Sequence, residues 1–146
     1  MTTIRLATPY DVEALAAVHA QCFERPWSER EIDALLLDGF GLVGEEAAAI
    51  LIGRVAGDEA EILTVAVDRA FRRRGWGLAL VQAAAVHAAE QGARTLFLEV
   101  GVDNGPAIDL YERAGFSVVG RRPAYYHRGD GAVVDALVMR RDLHLA

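Results

Sequence analysis

The chain of 146 residues contains no lysine, and all 15 of its positive charges are arginine. A P-loop closes on Gly-Lys-Ser or Gly-Lys-Thr, so that phosphate-binding motif is excluded. Cysteine is reduced to Cys22, which rules out an internal disulfide and fits a reducing compartment. On a predicted amphipathic helix it reads as a small buried apolar side chain rather than a nucleophile. No apolar run approaches the roughly 20 residues that span a bilayer, and the start Met-Thr-Thr-Ile-Arg-Leu has no secretory h-region. The expectation is a cytoplasmic protein that does not engage a membrane. Low-complexity tracts and internal repeats are also missing. His19, His87, His127 and His144 are scattered without a ligand spacing, so no metal is expected. A net charge of −6 argues against the broad basic face of a direct nucleic-acid binder, while remaining compatible with a basic peptide partner.

Hydrophobic residues make up 53% of the chain and charged residues 25%, a globular balance in a length that fits one domain. Thr3 to Ala7 predicts a short strand. Thr8-Pro9 supplies an N-cap with proline at the first helical position, opening a helix to about Phe23 that carries Val12, Leu15, Ala16 and His19 at helical spacing. Ser28-x-x-Glu31 is a capping box for a second helix, which ends in Gly39 to Gly44. Ala47 to Val55 and Glu59 to Val67 read as antiparallel strands around a Gly57-Asp58 turn. A helix from about Gly75 to Gln91 follows, then a strand from Thr95 to Val100 and a helix capped by Asn104 and ended by Gly115. Strands at about Ser117 to Tyr125 and Val133 to Arg140 finish the chain. The order is β, two helices, three strands, helix, strand, helix, strand, strand: a mixed α/β (α+β) domain with a mostly antiparallel sheet flanked by helices.

Two features carry chemistry. Residues 61 to 77 run from an apolar strand through Arg72, Arg73 and Arg74 into Gly75-Trp76-Gly77 and then an apolar helix. Unpaired N–H groups and the dipole at a helix start favour an anion, and glycine allows close backbone approach. A dinucleotide fingerprint needs a small third residue at position 80, where Leu80 stands. The plainer alternative is a solvated basic turn. The second feature is Glu99, a carboxylate inside the apolar strand Thr95 to Val100, on the face opposite Leu96, Leu98 and Val100.

Arg72-x-x-Gly75-x-Gly77, then Leu98-Glu99-Val100, then Asn104-x-x-Ala107-x-x-Leu110-Tyr111-x-x-x-Gly115-Phe116 together resemble the GNAT acetyltransferase superfamily. Pro26-Trp27-Ser28-Glu29 and Arg121-Arg122-x-x-Tyr125-Tyr126 are similar to its bacterial ribosomal-protein-alanine N-acetyltransferase subgroup. The resemblance covers about residues 25 to 139. It implies a single GNAT domain over 1–146, acetyl-coenzyme A as donor, and a protein or peptide N-terminus as acceptor, a ribosomal protein among the candidates. It assigns the pantetheine arm to the backbone of Val65, Ala66 and Val67. The pyrophosphate falls to Arg73, Arg74, Gly75, Trp76, Gly77 and Leu78, and a further coenzyme contact to Asn104, which is also read as a helix cap.

By the same resemblance Glu99 is the general base, in an apolar surround, and Tyr111 the general acid that protonates the departing thiolate. An α-amino group with a pKa near 8 is mostly protonated at neutral pH, so a base is needed. An oxyanion donor is expected from a backbone N–H near Val67. From the residues alone, Glu99 in an ion pair with an arginine and Tyr111 as a packed helix-face side chain remain open. The chain departs from the subgroup at Gly101, Ala124 and Val134, where a basic residue, an asparagine and an acidic residue are common. These departures keep open a small amine or a lysine side chain as acceptor, and a coenzyme-A-binding module without catalysis is the reading from a different class.

Overall fold

The computed structural model describes residues 3–44 and 48–144. Strand β1 (Ile4–Leu6) leads into Thr8, whose side chain accepts from Tyr10 N–H and closes a capping box with Asp11 before a short 3-10 turn. Helix α1 (Val12–Cys22) continues from it. Helix α2 (Glu29–Asp38) begins with the Ser28–Glu31 capping box anticipated from the spacing, both hydrogen bonds at 3.1 Å.

Strand β2 (Phe40–Gly44) comes next, in a stretch whose glycines the sequence reading took only as a helix stop. It is the third strand of the anticipated trio, for which that reading had no bounds. Strands β3 (Ala49–Ala56) and β4 (Glu59–Val67) pair antiparallel across the Gly57-Asp58 turn. Ala47, where the sequence reading starts β3, lies outside the described residues. Helix α3 (Trp76–Glu90), β5 (Thr95–Gly101), α4 (Gly105–Arg113), β6 (Ser117–His127) and β7 (Val133–Asp142) complete the order. The last two strands run longer than the sequence suggested. Pro123 sits inside β6, which is tolerated because β6 is an edge strand.

Among the described residues the strands form one sheet in the order β1-β2-β3-β4-β5-β7-β6. Every pairing is antiparallel except β4 with β5. One face packs on α3 through Leu51, Ile62, Leu80, Val81, Leu96 and Leu98. The other packs on α1 and α2 through Leu15, Val18, Ile32, Ile50, Ile52 and Ala66. Each buried aliphatic side chain of this size contributes roughly 1.5–3 kcal/mol on leaving water, so the sheet is held from both sides.

Two irregularities in β4 shape everything that follows. Gly53 pairs with Ile62 but Ile52 pairs with Thr64, so Leu63 is an extra residue, a β-bulge. The bulge reverses the alternation: Ala60 and Ile62 face α3, whereas Ala66 faces α1 and α2. Secondly, β4 and β5 are in register only from Glu59 to Glu61 against Thr95 to Phe97. Beyond Glu61 the two parallel strands part.

Candidate active site

The gap left by the parting strands is a cleft of about 520 Å³. Ile62 to Val65 form one wall and Leu98 to Gly101 the other, with Asn104, Ala107 and Tyr111 of α4 and the segment Cys22–Arg25 after α1 closing it. Asp68 N–H donates to Ala48 O at 2.7 Å and Ala66 pairs with Ile50. Backbone direction alternates along a strand, so Val65 and Val67 turn their N–H and C=O toward the open edge while Ala66 turns its own toward β3. Of the three residues assigned to the pantetheine arm, Val65 lines the cleft. Val67 O accepts from Arg72 Nε at 3.0 Å and from Cys22 Sγ at 3.5 Å. Arg72 therefore ties the arginine-rich turn to the end of β4 instead of pointing outward.

The turn itself suits an anion. Gly75 is the N-cap of α3 at φ 82°, a left-handed conformation that costs glycine little, and a side chain there would meet nothing within 4 Å. No side chain caps this helix start, so its first N–H groups face the space above Gly75. Arg73, itself at φ 63°, and Arg74, stacked 5.4 Å from the Phe71 ring centre, are both exposed beside it. Trp76 offers only its backbone, because its indole is buried in the core. Gly77 and Leu78 continue the first turn. Asn104 Oδ1 accepts from Ala107 N–H at 3.3 Å, so the cap is real, and its amide group still borders the cleft.

Glu99 stands on the wall opposite the bulge. Its alternation is as anticipated, but its surround is not simply apolar. Arg122 Nε lies 3.2 Å from Glu99 Oε1, with the carboxylate side chain 17% exposed, so the arginine pairing that the sequence left open is present. The Tyr126 hydroxyl donates to the backbone oxygen of Glu99 at 3.4 Å. Burial, followed by the negative charge and hydrogen bonding of Glu99, pushes the Tyr125 phenol up. Tyr126 moves the same way, first through burial and then through Glu99. A second cavity of about 390 Å³ reaches Glu99 from the far side and is bordered by Asp38, Arg54, Glu59, Glu61 and Phe97. Asp38, Glu59, Glu61 and Glu99 thus face two arginines on the approach, Arg54, which pairs with Glu61 at 3.1 Å, and Arg122.

Tyr111 reaches the cleft from α4. Burial, reinforced by Tyr126, pushes its phenol to about 12, so it stays protonated over the whole neutral range. A carboxylate that can accept a proton and a phenol that holds one are therefore presented to a single cavity.

Two residues that line the cleft, Thr64 and Arg128, went unnoticed in the sequence. Thr64 lines the cleft beside the bulge. Arg128 pairs with Asp103 at 2.6 Å and stacks 5.0 Å from the Tyr126 ring centre. A Cβ on Gly101 would lie 2.5 Å from Arg128 Nη2, so a guanidinium from the β6–β7 turn fills the space where the subgroup carries a basic side chain. Ala124 adopts φ 53° where the β6–β7 register shifts, and its N–H donates to Asp135 Oδ1 at 2.8 Å. Among the described residues no group of histidine, cysteine, aspartate and glutamate has the arrangement of a metal site, and no helix is long and apolar enough to cross a membrane.

A splayed mixed sheet, a glycine-led helix start and a cleft lined by both Glu99 and Tyr111 are the features of an acyl-group transferase. Residues 12–116 match the Acetyltransferase (GNAT) family, and the chain belongs to that family. It is 33% identical to the [Ribosomal protein bS18]-alanine N-acetyltransferase of Salmonella typhimurium, with 95% of this chain and 96% of the relative covered. The crystal structure of the ribosomal-protein-S18-alanine N-acetyltransferase from Escherichia coli superposes with a TM-score of 0.87 at 33% identity, over 100% of this chain and 96% of that one. An uncharacterized protein of Mycobacterium leprae is 36% identical over 92% of this chain, which spans only 39% of that longer relative.

Proposed function

We propose that this protein transfers the acetyl group of acetyl-coenzyme A to the N-terminal α-amine of a protein, with an N-terminal alanine as the favoured first residue. The observation that carries the reading is the placement of Glu99 and Tyr111 on one cleft opened by the parting of β4 and β5. The names of the bacterial relatives support a ribosomal protein as the acceptor.

Acetyl-coenzyme A supplies an acetyl group activated as a thioester. The uncapped start of α3, with the backbone of residues 73 to 78 and the charges of Arg73 and Arg74, suits its pyrophosphate. Val65 and the N–H of Val67 present the edge of β4 to its extended arm, the Val67 carbonyl being taken by Arg72 and Cys22, and Val65 N–H is the better-placed oxyanion donor because that residue borders the cleft itself. Glu99 first takes the ammonium proton, which frees the nitrogen lone pair, and releases it to solvent; it then takes a second proton from the nitrogen as the C–N bond forms. Tyr111 directs its hydroxyl proton at the sulfur as the C–S bond breaks. Asp38 and Glu59, with Glu61 paired to Arg54, leave the approach to Glu99 net negative, which attracts an ammonium.

The test is coenzyme-A release with short peptides differing in their first residue. The account predicts the fastest release with alanine first and none with an N-terminally blocked peptide. Equal rates with blocked and free peptides contradict it.

A further inference from the structure

Among the described residues, Thr64 Oγ1 is the buried side-chain oxygen that has no hydrogen-bond partner. The residue is 6% exposed and lines the cleft shared by Glu99 and Tyr111. Its position follows from the bulge at Leu63. With the alternation of β4 reversed there, Thr64 shares the α1 and α2 face with Ala66. Glu99 occupies that same face on β5, because Leu96, Leu98 and Val100 all pack toward α3. The last paired rung joins Glu61 to Phe97. Counting on past the bulge sets Thr64 level with Glu99 on the two sides of the gap.

A buried hydroxyl without a partner is costly, and valine, which has the same shape, fills such a site without that penalty. Packing alone therefore gives this strand position no reason to carry threonine. A primary amine about to attack has two N–H groups and one lone pair, and both N–H groups must be held if the lone pair is to be aimed. Glu99 can hold only one of them on the correct side.

We propose that Thr64, whose Oγ1 is closed off from solvent, turns about χ1 as the acceptor binds, so that Oγ1 accepts one N–H of the amine while Glu99 accepts the other and the two side chains across the splay fix the direction of the lone pair. Thr64 is thus an acceptor-orienting residue, and the inference rests on the transfer activity proposed above. No bond to Thr64 forms or breaks, and the amine proton still leaves through Glu99.

The experiment compares wild type, Thr64→Val and Thr64→Ser in steady-state transfer to a peptide that begins with alanine, with thermal melting of each protein. The expected result for Thr64→Val is a fall of about tenfold or more in kcat/KM for the peptide, with KM for acetyl-coenzyme A unchanged and a Tm equal to or above that of wild type. Thr64→Ser keeps the hydroxyl and regains most of the activity. An active Thr64→Val protein with wild-type kcat/KM overturns the proposal and leaves the transfer reading intact. A Tm loss in Thr64→Val, with both KM values rising together, makes the hydroxyl structural and also overturns it. Wild type that binds acetyl-coenzyme A and transfers to no peptide defeats the transfer reading and this proposal with it.

Discussion

Arg122 Nε lies 3.2 Å from Glu99 Oε1, and the same guanidinium stacks 5.1 Å from the Tyr125 ring centre. The arginine side chain is 56% exposed while the carboxylate is 17% exposed, so one partner is held and the other is free to leave. An incoming ammonium carries the same charge as Arg122 and competes for the same oxygens. Arg122→Gln is expected to change stability by less than about 1 kcal/mol, as for other solvent-facing pairs. Its KM for the acceptor peptide should drop severalfold, since about 1 kcal/mol of competition corresponds to roughly a fivefold change. Chemical denaturation and steady-state kinetics check the two parts separately.

Tyr111, at about 12, is a weaker acid than a thiol near 8.5, so complete proton transfer to a free thiolate is uphill. Its contribution is a donated hydrogen bond that strengthens as negative charge gathers on sulfur. Tyr111→Phe should lower kcat by about 10²-fold, the usual cost of one such donor, with KM for the peptide little changed. In wild type, kcat should not fall through loss of the Tyr111 proton near pH 10, where an ordinary phenol ionises. A pH–kcat profile for both proteins tests this.

His19 is 2% exposed, accepts the Trp27 N–H through Nδ1 at 3.1 Å, and is stacked between Phe23 at 4.3 Å and Trp27 at 4.6 Å. Burial lowers its pKa below 6.5, with Glu31 opposing in part. The folded protein therefore keeps His19 neutral while the unfolded chain takes up a proton. Stability contributed by the neutral ring is fully present above about pH 6.5 and declines as pH falls below it, by at most about 1.4 kcal/mol per pH unit. Urea unfolding at pH 7.5, 6.5 and 5.5 should show this decline in wild type and a shallower one in His19→Gln, which keeps an acceptor but does not titrate.

Ala124 holds φ 53° at the shift between Arg122 and Tyr126. A left-handed alanine costs about 1–2 kcal/mol. Ala124→Gly removes the Cβ clash but loses more chain entropy on folding, so a net gain of roughly 0.5–1 kcal/mol is expected, visible as a raised denaturation midpoint with the slope unchanged. A lower midpoint would mean that the Asp135 hydrogen bond fails to hold the backbone in this conformation without the methyl group.

The sequence was most legible where structure is local. The N-cap at Thr8, the capping box at Ser28, the left-handed glycine ahead of α3 and the alternation that sets Glu99 apart from Leu98 and Val100 each depend on neighbours a few residues away. Ala124 was noticed as a departure from an asparagine, and its backbone gives that residue type a reason, since asparagine tolerates positive φ. Strand β2 was obscured because Gly41 and Gly44 read as punctuation, whereas their pairing with β1 and β3 is non-local. The bulge at Leu63 was hidden for the same reason: it exists only in the register between β3 and β4, and with it went the direction of Thr64. Arg122 was within a recognised motif, but its partner Glu99 is 23 positions away and the pairing needs the β5–β7–β6 order.

The most direct test is to locate the acetyl group by mass spectrometry on a peptide that begins with alanine and also contains one lysine, using wild type and Glu99→Gln at neutral pH. The account predicts acetylation of the α-amine alone by wild type, slowed about 10²–10⁴-fold in Glu99→Gln and partly recovered at higher pH as the amine loses its proton unaided. Acetylation of the lysine side chain, or full α-amine transfer by Glu99→Gln at neutral pH, would contradict it.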